Sequence, residues 1–251
     1  MESKRMYATK AVQRLQKTPF SKLIIYEDDD YLVVNKPSFV ATLDDRHEDL
    51  NMMALARTYS PEVQVCHRLD KETSGALIMA KNAEAYRSVA MQFEKRKVNK
   101  VYHAICDGIH DFSERKIDEP LHISSKGVVK VSRRDGKEAL TFVDTLKAYR
   151  RHSLLACQPV TGRMHQIRVH LASVGASISG DEQYGGKPFL LSDLKRNFNL
   201  KKDTEEQPLI KRVALHARAV SFELMNHQTV EVEAPYSKDF SVVIKQLEKL
   251  T

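Results

Sequence analysis

The sequence predicts an α+β fold, a mixed and mainly antiparallel sheet flanked by helices. Short runs of strand character recur along the chain, whereas helical periodicity surfaces only at scattered places. No internal repeat and no Pro-, Gly- or Ser-rich linker divides it. With 251 residues, 42% of them hydrophobic, it can bury a sizeable core.

Residues 1–20 form a basic, polar segment, too short for a domain and expected to be a helix or an arm. Leu23-Ile24-Ile25-Tyr26 and Tyr31-Leu32-Val33-Val34 flank Glu27-Asp28-Asp29-Asp30, the pattern of a hairpin. Asn35-Lys36-Pro37 ends the second strand, because proline lacks an amide donor and restricts its predecessor. Ala76 to Ala80 is continuously apolar, as in a strand buried on both faces. Asn82 is placed to cap a helix in which Tyr86, Val89, Ala90 and Phe93 recur at helical spacing, with Lys95-Arg96-Lys97 at its negative end. Alternation then predicts strands over Val98–Ile105, Thr141–Leu146, Ser153–Cys157, Ala219–Leu224 and Thr229–Val232. Around Arg163 the period turns helical, with Gly175 as the C-terminal stop. Residues 187–212 are charged and weakly periodic, expected to be a solvated insertion, or alternatively a loop that touches a polyanion.

Forty Lys and Arg against 33 acids give a net charge of +7. Such an excess suits a polyanionic partner through counterion release, and equally an ordinary basic protein. Cys66, Cys106 and Cys157 are odd in number, far apart and without a Cys-x-x-Cys pair, which fits reduced thiols better than a disulfide frame or zinc site. No apolar core follows the basic N-terminus and no run approaches the ~20 residues of a membrane helix. The expected location is the cytoplasm, with no membrane association.

The richest stretch is His67-Arg68-Leu69-Asp70-Lys71-Glu72-Thr73-Ser74-Gly75, running into Ala76-Leu77-Ile78-Met79-Ala80-Lys81. It suggests an acidic group in a loop at the mouth of a buried strand, with cations beside it. Taken alone, Asp70 could equally cap a turn. An ionised carboxylate there would be an oxygen nucleophile or base. A second constellation is Thr161-Gly162-Arg163-Met164-His165-Gln166-Ile167-Arg168-Val169-His170-Leu171, continuing to Gly180-Asp181 and Tyr184-Gly185. Read as a helix, it puts His165 and Arg168 on one face at i, i+3. His165 and His170 lie five apart with no intervening glutamate pattern, so hydrogen bonding, structural or to the backbone of a polyanion, is expected rather than metal binding. Lys100-Val101-Tyr102-His103-Ala104-Ile105 sets an aromatic ring on a strand, by default in the core.

These segments closely resemble the RluA family of pseudouridine synthases. The first matches every fixed position of His-Arg-Leu-Asp-x-x-Thr-Ser-Gly-x-x-x-x-Ala-Lys. The second is similar to Thr-Gly-Arg-x-His-Gln-Ile-Arg-x-His-Leu, and the strand to Lys-x-Tyr-x-Ala. Leu215-His216-Ala217 and Ala234-Pro235 with Asp239-Phe240 resemble the family's C-terminal segments, so the likeness runs from about Leu23 to Phe240. Two departures stand out. Phe39 stands where the family usually has glycine, and Asn226-His227-Gln228-Thr229 replaces a longer turn. The S4-type RNA-binding module of some relatives is expected to be absent.

The resemblance implies the pseudouridine synthase catalytic fold, one catalytic domain over 21–251, and isomerisation of uridine to pseudouridine in structured RNA, ribosomal or transfer. It implies a catalytic set of Asp70, Tyr102 and Arg168: Asp70 acts at the sugar, Arg168 pairs with it, and Tyr102 lies against the base. Arg68 would occupy the space that a flipped base vacates, and Lys36, Lys71, Arg163 and His165 would contact RNA. No cofactor, nucleotide or metal is implied, and the chain is expected to act as a monomer. A non-catalytic RNA-binding protein on the same scaffold is the alternative. A hydrolase using Ser74 with His67 or His165 is more distant, because no Gly-x-Ser-x-Gly elbow surrounds Ser74.

Overall fold

The computed structural model describes residues 7, 9, 12–43, 50–125, 127–195, 198–200 and 204–250. Lys4, Arg5 and Lys10 of the basic segment, and Arg196, Lys201 and Lys202 of the charged one, lie outside the described residues. The chain falls into two compact units, one comprising Met1–Val101 and His216–Ser237, the other Tyr102–Leu215 and Lys238–Thr251.

In the first unit, described residues 12–16 are helical, and a 3-10 turn, Phe20–Leu23, then leads to the expected hairpin of β1 (Ile24–Glu27) and β2 (Tyr31–Lys36). Asp28 closes the turn, its Oδ1 accepting from the amides of Asp30 (2.9 Å) and Tyr31 (2.6 Å). A short helix, α1 (Met52–Tyr59), and a two-residue strand, β3 (Gln64–Val65), lead to β4 (Ser74–Ala80). Every residue of β4 is buried, as the continuous apolar run requires. It pairs antiparallel with β2 and β3 and parallel with β11 (Leu215–Glu223), which in turn pairs antiparallel with β12 (Thr229–Glu233). The sheet is therefore mixed.

Helix α2 (Ala83–Glu94) starts where expected, with Asn82 Oδ1 accepting from the Ala85 amide at 2.9 Å. Its buried stripe is Ala85, Val89 and Gln92, whereas Tyr86 turns outward. Gln92 is buried because its amide exchanges two hydrogen bonds with the Glu223 backbone, at 2.8 and 2.9 Å. Tyr31, Val33, Ala76, Ile78, Ala80, Val220 and Phe222 join Ala85 and Val89 in the core.

The second unit carries β5 (Asn99–Asp107, whose first residues belong to the first unit), β6 (Arg115–Asp118), β9 (Leu140–Ala148) and β10 (His152–Pro159). They pair antiparallel in the order β5-β10-β9-β6. A separate hairpin joins β7 (Leu121–Ile123) to β8 (Val129–Val131). Helix α3 (Gln166–Ser173) ends at a left-handed Gly175, as its sequence predicts. Helix α4 (Lys238–Lys249) buries Phe240, Val243 and Leu247.

Residues 187–212 are not simply a solvated insertion. Phe189, Leu194 and Ile210 are buried, and Phe189 packs on His152 with ring centroids 4.6 Å apart. Arg212 is 0% exposed, with Nε 2.7 Å from Asp239 Oδ2 and Nη1 donating to the carbonyls of Val213 and Leu215. Charged composition masked these anchors, because the apolar residues are too sparse to set a period.

Candidate active site

In the first unit, the residues around Asp70 are tied down on both sides. Before it, Leu69 is buried and clasped by Thr42, whose hydroxyl donates to the Leu69 carbonyl (2.8 Å) and accepts from its amide (3.1 Å). After it, the Thr73 amide donates to the Asp70 carbonyl at 3.0 Å, closing a turn. Ser74 is fully buried and its Oγ lies 2.9 Å from His216 Nδ1. His216 Nε2 lies 3.2 Å from the Ala234 carbonyl, which can only accept, so Nε2 carries the proton and Ser74 donates to Nδ1. This pair joins the parallel strands β4 and β11 at the Ser74–His216 register. Its partner and its burial make Ser74 a structural residue, not a hydrolase nucleophile.

Gly75 must be glycine. Its φ is +114°, and a Cβ there would sit 2.2 Å from the Ala217 carbonyl oxygen. The invariable consequence of this close approach is that the loop enters β4 at a fixed point, with Asp70 half-buried on the turn before it.

His67 is held by its Nε2, which accepts from the Ile78 amide at 3.1 Å, and its ring packs on Phe93. Burial, and then the neighbouring Lys100, push its pKa down to about 3, so it stays neutral. Arg68 is exposed and Lys71 is half-buried.

Lys36 corrects the sequence reading. It is 0% exposed, and its ammonium donates to the carbonyls of Pro37 (3.0 Å), Val40 (2.8 Å) and Lys71 (3.3 Å). It pins the loop after β2 to the Asp70 turn, and an ammonium so enclosed does not reach a phosphate. Phe39, in that loop, adopts φ +66°, a backbone suited to the glycine that the family usually has there.

In the second unit, Tyr102 is half-buried on β5, opposite Cys157. Arg163 is exposed, with Nε donating to the Glu138 carbonyl at 3.0 Å. His165 corrects the helical reading, because it precedes α3 in a left-handed conformation (φ +53°) and is not one face with Arg168. Its Nδ1 lies 2.8 Å from the Tyr184 hydroxyl.

Gln166 and His170 fasten α3 to β9. Gln166 Nε2 donates to the Leu140 carbonyl and Thr141 Oγ1, both at 2.9 Å, while its Oε1 accepts from the Thr161 hydroxyl at 2.7 Å. His170 is fully buried between Thr141 Oγ1 and the Glu119 carbonyl, each at 2.9 Å, a structural role. Between these fasteners, Arg168 is 8% exposed and paired with Asp181, itself 1% exposed. Nε lies 2.7 Å from Oδ2 and Nη2 2.8 Å from Oδ1, a bidentate fork. Gln183 Oε1 accepts from Nη2 at 3.1 Å, and the guanidinium stands 4.9 Å from the centre of the Tyr184 ring. Asp181 and Tyr184 stand in the quoted Gly180-Asp181 and Tyr184-Gly185 element, which marked them without showing their partner.

Among the described residues, no cluster of His, Cys, Asp and Glu could hold a metal ion, and no helix is long and apolar enough to cross a membrane.

A loop-borne aspartate at the head of a buried strand, and a buried arginine in a helix after Thr-Gly-Arg, are the features by which known proteins can be compared. A family model described as RNA pseudouridylate synthase matches residues 30–173, and the chain belongs to that family, as its resemblance to the RluA group implies. It is 33% identical over 236 residues to ribosomal large subunit pseudouridine synthase C of Buchnera aphidicola subsp. Baizongia pistaciae, covering 91% of this chain and 71% of that protein. It is 35% identical over 239 residues to ribosomal large subunit pseudouridine synthase D of Neisseria meningitidis serogroup A, covering 88% of this chain and 60% of that protein. Among solved structures, human RNA pseudouridylate synthase domain containing 4 superposes with a TM-score of 0.69 at 24% identity, over 96% of this chain and 98% of that one. That likeness shows the shared α+β fold.

Proposed function

We propose that this pseudouridine synthase isomerises a specific uridine in structured ribosomal RNA, with Asp70 acting at the sugar. One observation carries the assignment to Asp70: its turn is fixed by Thr42, Thr73 and the Ser74–His216 pair, while its own side chain is only half-buried. Such fixing of a reactive carboxylate lowers the entropic part of the barrier.

In the proposed reaction the N1–C1′ glycosidic bond breaks and Asp70 serves the sugar as nucleophile or base. The uracil then rotates, C5 bonds to C1′, the C5 hydrogen leaves as a proton and N1 ends protonated. Atoms balance without an oxidant or reductant. Arg168, oriented by Asp181, is assigned as the ion-pair partner of Asp70, and Tyr102 as the ring against the base. Extracting a stacked uridine costs a few kcal/mol, and the exposed Arg68 is assigned to the vacated space. Lys71, Arg163 and His165 are assigned to the RNA backbone.

Ribosomal RNA is preferred over transfer RNA because the relatives carry ribosomal large subunit names. The matched region, residues 30–173, runs through both compact units, which supports a single catalytic domain over 21–251. Cys66, Cys106 and Cys157 are free thiols, which supports a cytoplasmic protein, and we take it to act as a monomer.

The substrate is tested by mapping pseudouridines in ribosomal and transfer RNA from cells with and without this protein. Loss of one site in large-subunit RNA is expected. Loss confined to transfer RNA would overturn the substrate assignment and leave the chemistry standing.

A further inference from the structure

We propose that Asp181 is a positioning residue for the isomerisation, acting through Arg168 rather than on the RNA. The inference rests on Arg168 as the partner of Asp70 and deepens that reading.

Arg168 is a long side chain with several rotatable bonds, so its charge alone does not fix where its fork points. Three features of the second unit do. Asp181 takes the Nε and Nη2 edge with two short bonds, 2.7 and 2.8 Å. Gln183 shares Nη2 at 3.1 Å. Tyr184 offers its ring at 4.9 Å, and its hydroxyl is engaged by His165 Nδ1 at 2.8 Å.

Asp181 is itself rigidly seated. It is 1% exposed, its amide donates to the Ile178 carbonyl at 3.0 Å, and its carbonyl accepts from the amides of Tyr184 (3.1 Å) and Gly186 (2.8 Å). Gly186 permits this turn, since a Cβ there would lie 1.8 Å from the Ile178 carbonyl oxygen. A bidentate carboxylate on so tight a turn holds the plane of the guanidinium, and a small error in that plane misdirects the group it serves. With only 1% of its surface exposed, Asp181 is kept from touching substrate.

The test is single-turnover isomerisation at saturating, unmodified RNA, read by tritium release from C5, in a double-mutant cycle of Asp181→Asn and Arg168→Met. Asp181→Asn alone is expected to slow the step roughly thirtyfold or more, with RNA affinity within about threefold of wild type. In the Arg168→Met background the same change is expected to cost less than about threefold, because the group that it positions is gone. Equal losses in both backgrounds, or a single-mutant rate within about threefold of wild type, would overturn the proposal. An Arg168→Met variant as fast as wild type would instead overturn the role of Arg168 on which the proposal rests. Should Asp181→Asn fail to fold, Asp181→Glu, which keeps the charge and moves it by one methylene, carries the same cycle with the same reading of its outcomes.

Discussion

An ammonium shut away from solvent with three carbonyls around it, the situation of Lys36, joins loop ends and leaves phosphates to other cations. Replacing it by methionine keeps the stem and orphans the carbonyls, at a cost of about 1–3 kcal/mol. Lys36→Met is therefore expected to lower the urea midpoint while the salt dependence of RNA binding keeps its slope. A slope reduced by about one would return Lys36 to the RNA interface. Sequence could not separate these roles, because a lysine beside a proline is written identically whether it faces in or out. Phe39 was more legible. The departure from glycine marked that position, and the structure gives the reason, a left-handed backbone carried by a residue whose ring is nevertheless buried. His227, in the other departing turn, likewise has φ +64°.

At the scale of elements, the passage from the Asp70 turn into β4 depends on Gly75. Gly75→Ala combines a left-handed backbone with a clash against the Ala217 carbonyl, and about 2–5 kcal/mol of lost stability is expected. Thermal unfolding reads it directly, and an unshifted midpoint would mean that β4 and β11 do not approach as closely as described. Strands β2, β4, β5, β9, β10, β11 and β12 and helix α2 were legible because alternation, continuous apolarity or an Asn cap marks each. The start of α3 was not, since periodicity carries no sign of φ and His165 breaks the helix by that sign alone. Strands β6, β7 and β8, of three or four residues, are too short for alternation to register. Helix α4 could have been found, because Phe240, Val243 and Leu247 recur at helical spacing.

For the whole molecule, three histidines with lowered pKa values weaken the fold on the acid side. Burial lowers the pKa values of His67, His152 and His170 below the ordinary imidazole value, and Lys100 pushes His67 further, to about 3. Each is depressed in the folded chain, so the unfolded chain binds more protons below about pH 6.5. Stability present above that pH is therefore lost as pH falls, for His67 progressively down to about 3. The urea midpoint is expected to drop between pH 7 and pH 5, and to drop less in His67→Gln, where the side-chain oxygen can still accept from Ile78. An equal drop in both proteins would show that His67 titrates normally in the fold. The proposed roles of Asp70 and Arg168 come from motifs rather than from geometry: the quoted elements marked Asp181 and His216 without showing their partners, and Thr42, which clasps Leu69, lay in no motif at all. The proposed role of Asp70 is tested most directly by one measurement, tritium release from C5-labelled, unmodified ribosomal RNA by wild type and by Asp70→Asn. Release by wild type and none above background by the variant, with both folded and binding RNA, is the predicted result. Equal release by both would contradict the role of Asp70, and no release by either with RNA still bound would contradict the enzyme itself.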